Sequence, residues 1–196
     1  MANEKLEAHI KGKLYKSIDS PTQLDQTVAQ ALIDIERENK DIDLFRFQII
    51  STREIDIQNN PKKALVIFYP YVLNTKVRKM QSKLTSLIER KMESYYVFLF
   101  PFRRILSVNN KRYKGNQNRP RNRALTNVYD KMLEDLIYPS QIAGRRTCMK
   151  MDQTRLFRVH LEARFKDSVE EKLPVFSAVY RKLTNRKTEF SFPEGY

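Results

Sequence analysis

The chain has 196 residues, 41% of them hydrophobic, which is enough for one medium domain, or at most two small ones, with a core that needs no staples. Its single cysteine, Cys148, forms no internal disulfide and points to a reducing compartment, and four dispersed glycines exclude Gly-rich and low-complexity architectures. The formal charge of +14 is concentrated, with 16 Lys+Arg against 2 Asp+Glu in residues 61–123, while residues 1–60 carry −3 and residues 124–196 carry +3; such a patch calls for a polyanion partner, nucleic acid before anionic membrane.

Residues 1–19 are studded with charge and hold no apolar h-region, so they read as an N-terminal segment that orders on binding rather than as a secretory signal. The longest apolar run, residues 95–102, is closed by Arg103-Arg104 and falls short of the ~18 residues of a membrane span. A first helix is expected from Ser20 as N-cap, Pro21 as N1 and Gln23 at N3, with Leu24, Val28, Ala31, Leu32 and Ile35 on one stripe and its end near Glu38. Residues 45–57 read as a strand, with Phe45, Phe47 and Ile49 on one face and Ile50 on the other. The turn signal Asn59-Asn60-Pro61 leads to a second, fully buried strand over residues 64–69, which makes a hairpin.

A basic helix is predicted over residues 74–92, with Val77, Met80, Leu84, Leu87 and Ile88 inward and Lys76, Arg78, Lys79, Lys83 and Arg90 outward. Residues 95–106 form a third strand that must bulge or lie at an edge at Pro101. After an irregular stretch, a helix over residues 125–138 is stopped by Pro139. Two short strands, 147–151 and 156–161, flank the turn Asp152-Gln153-Thr154. A helix over 167–182 must kink at Pro174 or begin its true first turn there, and a last strand covers 188–192. The expected fold is mixed α/β: an N-terminal helix, then two ββαβ-like halves joined by a helix, in one domain over residues 20–196.

Chemistry is signalled in one place. Cys148 sits in a strand, the only imidazoles are His9 and His160, and no His, Cys, Asp or Glu spacing matches a metal site. The scattered glycines build no phosphate cradle, and the adjacent acids Glu134-Asp135 and Glu170-Glu171 point about 100° apart on a helix. No catalytic residue, metal, cofactor or small-molecule substrate is expected. Between Glu93 and Asp130, however, there is no acid at all. That interval holds Arg103 and Arg104 and then, in a basic loop over residues 107–123, Lys111, Arg112, Lys114, Arg119, Arg121 and Arg123. Guanidinium forks match phosphate oxygens, Asn116, Gln117, Asn118 and Asn122 suit sugars or base edges, and Tyr113 offers a stacking face. Alone such a loop repels itself, so it makes sense as a segment that orders against a polyanion. A second basic set, Arg145, Arg146, Lys150, Arg155 and Arg158, follows Gly144, and no amphipathic helix beside the charge argues for a membrane surface.

The runs Phe102-Arg103-Arg104-Ile105-Leu106, Arg119-Pro120-Arg121-Asn122-Arg123-Ala124-Leu125-Thr126 and the stretch from Leu133 through Tyr138-Pro139-Ser140 to Arg145-Arg146 carry a family resemblance. With Arg155 to Glu162, Phe176 to Thr184 and Phe190-Ser191-Phe192-Pro193-Glu194, they make the chain similar to the eukaryotic small-subunit ribosomal protein seven family, which is distinct from the bacterial protein of that number. The resemblance runs in order from about Thr27 to the C-terminus; it departs at Asn59-Asn60-Pro61, at Cys148 and in the first twenty residues. It implies a structural, non-enzymatic component of the 40S subunit that binds small-subunit rRNA, touches neighbouring ribosomal proteins and supports rRNA processing and assembly. Assembly would take place in the nucleolus and service in the cytoplasm. By matching positions, Arg103, Arg104, Arg119, Arg121, Arg123, Arg145 and Arg146 are the implied rRNA contacts. The rival readings are a transient pre-rRNA assembly or processing factor and a small nucleic-acid-processing enzyme.

Overall fold

A computed structural model describes residues 9–10, 12–15, 21–39, 47–58, 60–105 and 125–193. These residues contain four helices of 12 to 18 residues and two three-stranded sheets, a mixed α/β architecture, and the chain divides into two compact units, Met1–Phe102 and Arg103–Tyr196.

The first unit begins with α1, Gln23–Glu38, which is capped by Thr22 and not by Ser20. An N-cap hydroxyl needs an acceptor three residues on to complete the reciprocal pair, and Thr22 has one in Asp25. The Asp25 amide donates to Thr22 Oγ1 at 3.3 Å, while the Thr22 amide and hydroxyl donate to Asp25 Oδ2 at 3.0 and 2.7 Å. The other carboxylate oxygen accepts from the Thr52 amide (2.8 Å) and hydroxyl (2.6 Å), so one buried acid ties α1 to the sheet. Burial pushes the Asp25 carboxyl up, but the hydrogen bonds from Thr52 and Thr22 outweigh it and hold the group below the ordinary aspartate value.

Strand β1, Ser51–Ile55, covers the second part of the expected strand 45–57, whose residues 45–46 lie outside the described residues. Just before it, the Ile50 amide donates to Phe68 O at 2.8 Å, while Ile49 forms an isolated parallel bridge with Leu14, with Ile49 N–H to Lys13 O and Tyr15 N–H to Ile49 O both at 2.8 Å. Strand β2, Lys63–Pro70, lies antiparallel to β1, and β3, Tyr95–Phe102, lies parallel to β2 after the crossover helix α2, Asn74–Lys91. Residues 64–69 are all buried, the continuous apolar run expected of a central strand with a parallel neighbour. Leu65 and Ile67 pack with Leu32 and Ile35 of α1 and Leu84 and Ile88 of α2, all fully buried and each contributing roughly 1.5–3 kcal/mol relative to exposure. Ile10 and Leu14 join the same cluster. Pro101 pairs with Tyr69 in unbroken register, and it can do so because β3 is the outer strand, where a missing N–H removes no ladder bond.

The second unit repeats the order. Helix α3, Leu125–Ile137, precedes β4, Ile142–Met149, and β5, Arg155–Leu161, an antiparallel pair; α4, Leu173–Thr184, then crosses to β6, Lys187–Ser191, parallel to β5. The two halves therefore have separate sheets, with strand orders β1-β2-β3 and β4-β5-β6. Strand β4 starts five residues before the expected Thr147, because its first half, Ile-Ala-Gly-Arg-Arg, is a largely exposed edge without apolar alternation, and the ladder is irregular between Ile142 and Gly144. The helix expected over 167–182 is broken by a 3-10 turn at Glu170–Lys172, and Pro174 sits in the first turn of α4, where its missing N–H is harmless. Asn185, at φ 59°, takes the left-handed turn that ends α4.

Candidate nucleic-acid interface

The expected contact residues Lys111, Arg112, Lys114, Arg119, Arg121 and Arg123, with the rest of loop 107–123, lie outside the described residues. The other four fall into two kinds. Arg103 turns inward and ion-pairs with Asp135 of α3; the two side chains are only 14% and 4% exposed. Arg145 projects from β4 to Asp130 (3.5 Å) and Glu134 (3.3 Å), both on α3. Burial raises the Glu134 carboxyl, and Lys131 at 2.7 Å together with Arg145 more than offsets this, so it stays ionised to hold the arginine. Arg104 and Arg146, in contrast, are exposed.

Register explains how the second basic set is arranged. Cross-strand partners share a face, and Thr147, Phe157 and Thr188 form one row across the three strands, on the side where Val159 and Thr188 are buried. The opposite face carries the row Arg146, Arg158 and Glu189, with Arg158 Nε 3.3 Å from Glu189 Oε2. His160 and Ser191 form the next row, Nδ1 to Oγ 2.9 Å apart. No described carboxylate bonds that imidazole, so the pair is a hydrogen bond on a sheet face and not an acid–base relay. Cys148 is half-buried opposite Leu156. Among the described residues no group of His, Cys, Asp and Glu could hold a metal ion.

Between the rim of this sheet, α3 and α4 lies a cleft of about 560 Å³ lined by five arginines, Arg145, Arg146, Arg155, Arg158 and Arg186. Arg186 was not singled out by the sequence. It stands with Lys187 between Asn185 and β6, with no motif around it, and only the parallel register beginning at Leu156↔Lys187 brings it to the Arg155 end of β5. Its guanidinium lies 5.0 Å from the centroid of Tyr129 and 4.9 Å from that of Phe157, within cation–π range of both rings. Tyr180, whose hydroxyl donates to the Tyr129 carbonyl at 3.4 Å, forms part of the wall; burial raises its phenol above the ordinary value and keeps it neutral.

Fold and charge together define a class: a small, strongly basic α/β protein of two αββαβ units whose second unit exposes unpaired arginines on an open sheet. Comparison with known proteins gives the particular one. A family model described as Ribosomal protein S7e matches residues 13–192. The small ribosomal subunit protein eS7 of Avicennia marina is 40% identical over 185 residues, covering 92% of this chain and 95% of its own. The protein of that name from Schizosaccharomyces pombe is 38% identical over 180 residues (91% and 92%), and eS7A of Saccharomyces cerevisiae 37% over 176 (89% and 92%). This chain belongs to the ribosomal protein S7e family.

Proposed function

We propose that the chain is a structural constituent of the small (40S) ribosomal subunit, lying against its rRNA and adjoining ribosomal proteins, without catalytic chemistry. The observation that carries this reading is the near full-length match to proteins named as small-subunit components. The physical argument agrees with it: the acid-free interval from residue 94 to 129 carries eight bases between Arg103 and Arg123, a charge that a phosphate backbone neutralises. Arg104, Arg146 and the loop bases Lys111, Arg112, Lys114, Arg119, Arg121 and Arg123 supply the contacts. Arg103 and Arg145 act mainly by fixing α3, which starts just beyond that loop. Recognition is of shape and backbone charge, since rRNA presents a fixed surface. The chain enters the particle during nucleolar assembly and stays in it in the cytoplasm.

The test is sedimentation of the tagged full chain from a cell extract through a high-salt sucrose gradient. One copy per small subunit is the expected result. A chain that peaks at the top of the gradient, or leaves mature particles while staying with precursors, overturns the reading. For the purified chain, neutralising about six phosphates gives a slope near −4 to −5 in log affinity against log salt for single-stranded RNA.

A further inference from the structure

We infer that the arginine-lined cleft of the second unit is a pocket for a single nucleotide of an RNA strand, which rests on reading the chain as an RNA-bound component. Its charge is unbalanced in a specific way. Arg145 is answered by Asp130 and Glu134, and Arg158 by Glu189. Arg146, Arg155 and Arg186 have no carboxylate partner among the described residues. Arg155 and Arg186, two residues before the paired Phe157 and Thr188, bring two guanidinium groups to one end of the cleft, and a bound anion relieves their repulsion.

The walls are not those of a purely ionic site. Phe157, Tyr180 and Met149 line it beside the arginines, and Met149, the cross-strand partner of Arg155, is 63% exposed where packing gives it no reason to be. An apolar surface next to unpaired guanidinium groups matches a ligand that is anionic at one end and flat and apolar at the other, which is the character of a nucleotide. The volume of about 560 Å³ lies within the roughly 300–1,000 Å³ usual for such pockets. Arg186 is already positioned by Tyr129 and Phe157, so little side-chain freedom is lost when an anion binds it. The phosphate falls to Arg155 and Arg186, and the base to Met149 and the aromatic wall. An acidic peptide would satisfy the charge but leave that wall without a partner, so RNA is favoured.

The test uses the purified full chain and a fluorescein-labelled 15-nucleotide oligouridylate, with binding followed by anisotropy across a salt series. Arg155→Gln/Arg186→Gln removes the two cleft-facing groups; Lys79→Gln/Lys83→Gln on α2 removes the same charge far from the cleft in sequence, and far-UV circular dichroism checks both folds. The cleft variant is expected to bind about tenfold more weakly, with a salt slope shallower by about 1.4, or two phosphate contacts at about 0.7 each. Crosslinks from a 4-thiouridine oligomer should map to Met149 or Phe157 in the parent chain and be lost in that variant. Equal losses in the two variants, with crosslinks elsewhere, overturn the pocket while the chain still binds RNA and sediments with small subunits. If the parent chain neither binds the oligomer nor co-sediments, the functional reading fails as well. Displacement of the oligomer by polyglutamate at equal ionic strength and lower concentration than by unlabelled RNA reassigns the cleft to acidic peptides and overturns the inference.

Discussion

Strands β2 and β5 hold the same place, each central in a three-stranded sheet with an antiparallel neighbour before it and a parallel one after, yet they are built oppositely. From Ala64 to Tyr69 every residue of β2 is buried, whereas β5 buries Val159 and Leu161 and exposes Arg155 and Arg158. The same order of elements therefore serves two ends. The first sheet has a central strand that is core along nearly its whole length. The second keeps one face and one end open, and there the arginines are found.

A series of substitutions can break or sharpen that contrast. Leu65→Ala, in the middle of the first core, is expected to destabilise by about 4 kcal/mol in urea denaturation, because a large buried side chain leaves a cavity among Leu84, Ile88 and α1. A loss under 1 kcal/mol would mean that β2 is not central to the core. Asp135→Ala leaves the Arg103 guanidinium buried without its carboxylate and should cost about 3 kcal/mol, while Arg103→Met/Asp135→Leu recovers most of that loss. Were Arg103 primarily a contact to RNA, Arg103→Met/Asp135→Leu would keep its stability but lose RNA affinity as sharply as the loop arginines, which the salt series measures.

Thr22→Ala removes the cap of α1 and should cost about 1 kcal/mol. The cap also sets a pH dependence. The Asp25 pKa is depressed in the folded chain, so its contribution is full above the ordinary aspartate value near 4 and disappears as pH falls through the lower folded value. Denaturation between pH 2 and 5 should show that acid-side loss in the parent chain and a flatter profile in Asp25→Asn. The smallest effect belongs to the open sheet. Arg158→Gln breaks an exposed pair with Glu189 and should change stability by well under 1 kcal/mol, vanishing in high salt. A loss comparable with that of Leu65→Ala would erase the difference between the two sheets.

Much of the fold was legible because it rests on local patterns. The stripe Val77, Leu84, Ile88 gave α2 to within a residue at its end, the run 64–69 gave a buried β2, and Pro174 marked the start of α4. The errors lie where a partner distant in sequence decides. Thr22 prevails over Ser20 as the cap because Asp25 is also engaged by Thr52, twenty-seven residues on, and Ile49 bridges to Leu14, thirty-five residues back. The first half of β4 was missed because an exposed edge needs no apolar alternation. The site was legible as charge but not as geometry. Composition cannot distinguish Arg103, held by an acid thirty-two residues away, from Arg146, which is open, and nothing local flags Arg186 until a parallel register brings it to β5.

The bridge between Leu14 and Ile49 changes what the start of the chain is. Both backbone groups of Ile49 are engaged by residues 13 and 15, and Ile49 itself is fully buried. A protein begun at residue 16 would carry that amide and carbonyl into the interior without partners, at roughly 1–3 kcal/mol each, and leave a gap where Ile10 and Leu14 had been. Residues 10 to 15 thus act as a keystone of the first unit, and trimming the chain past them weakens that unit's core rather than its surface.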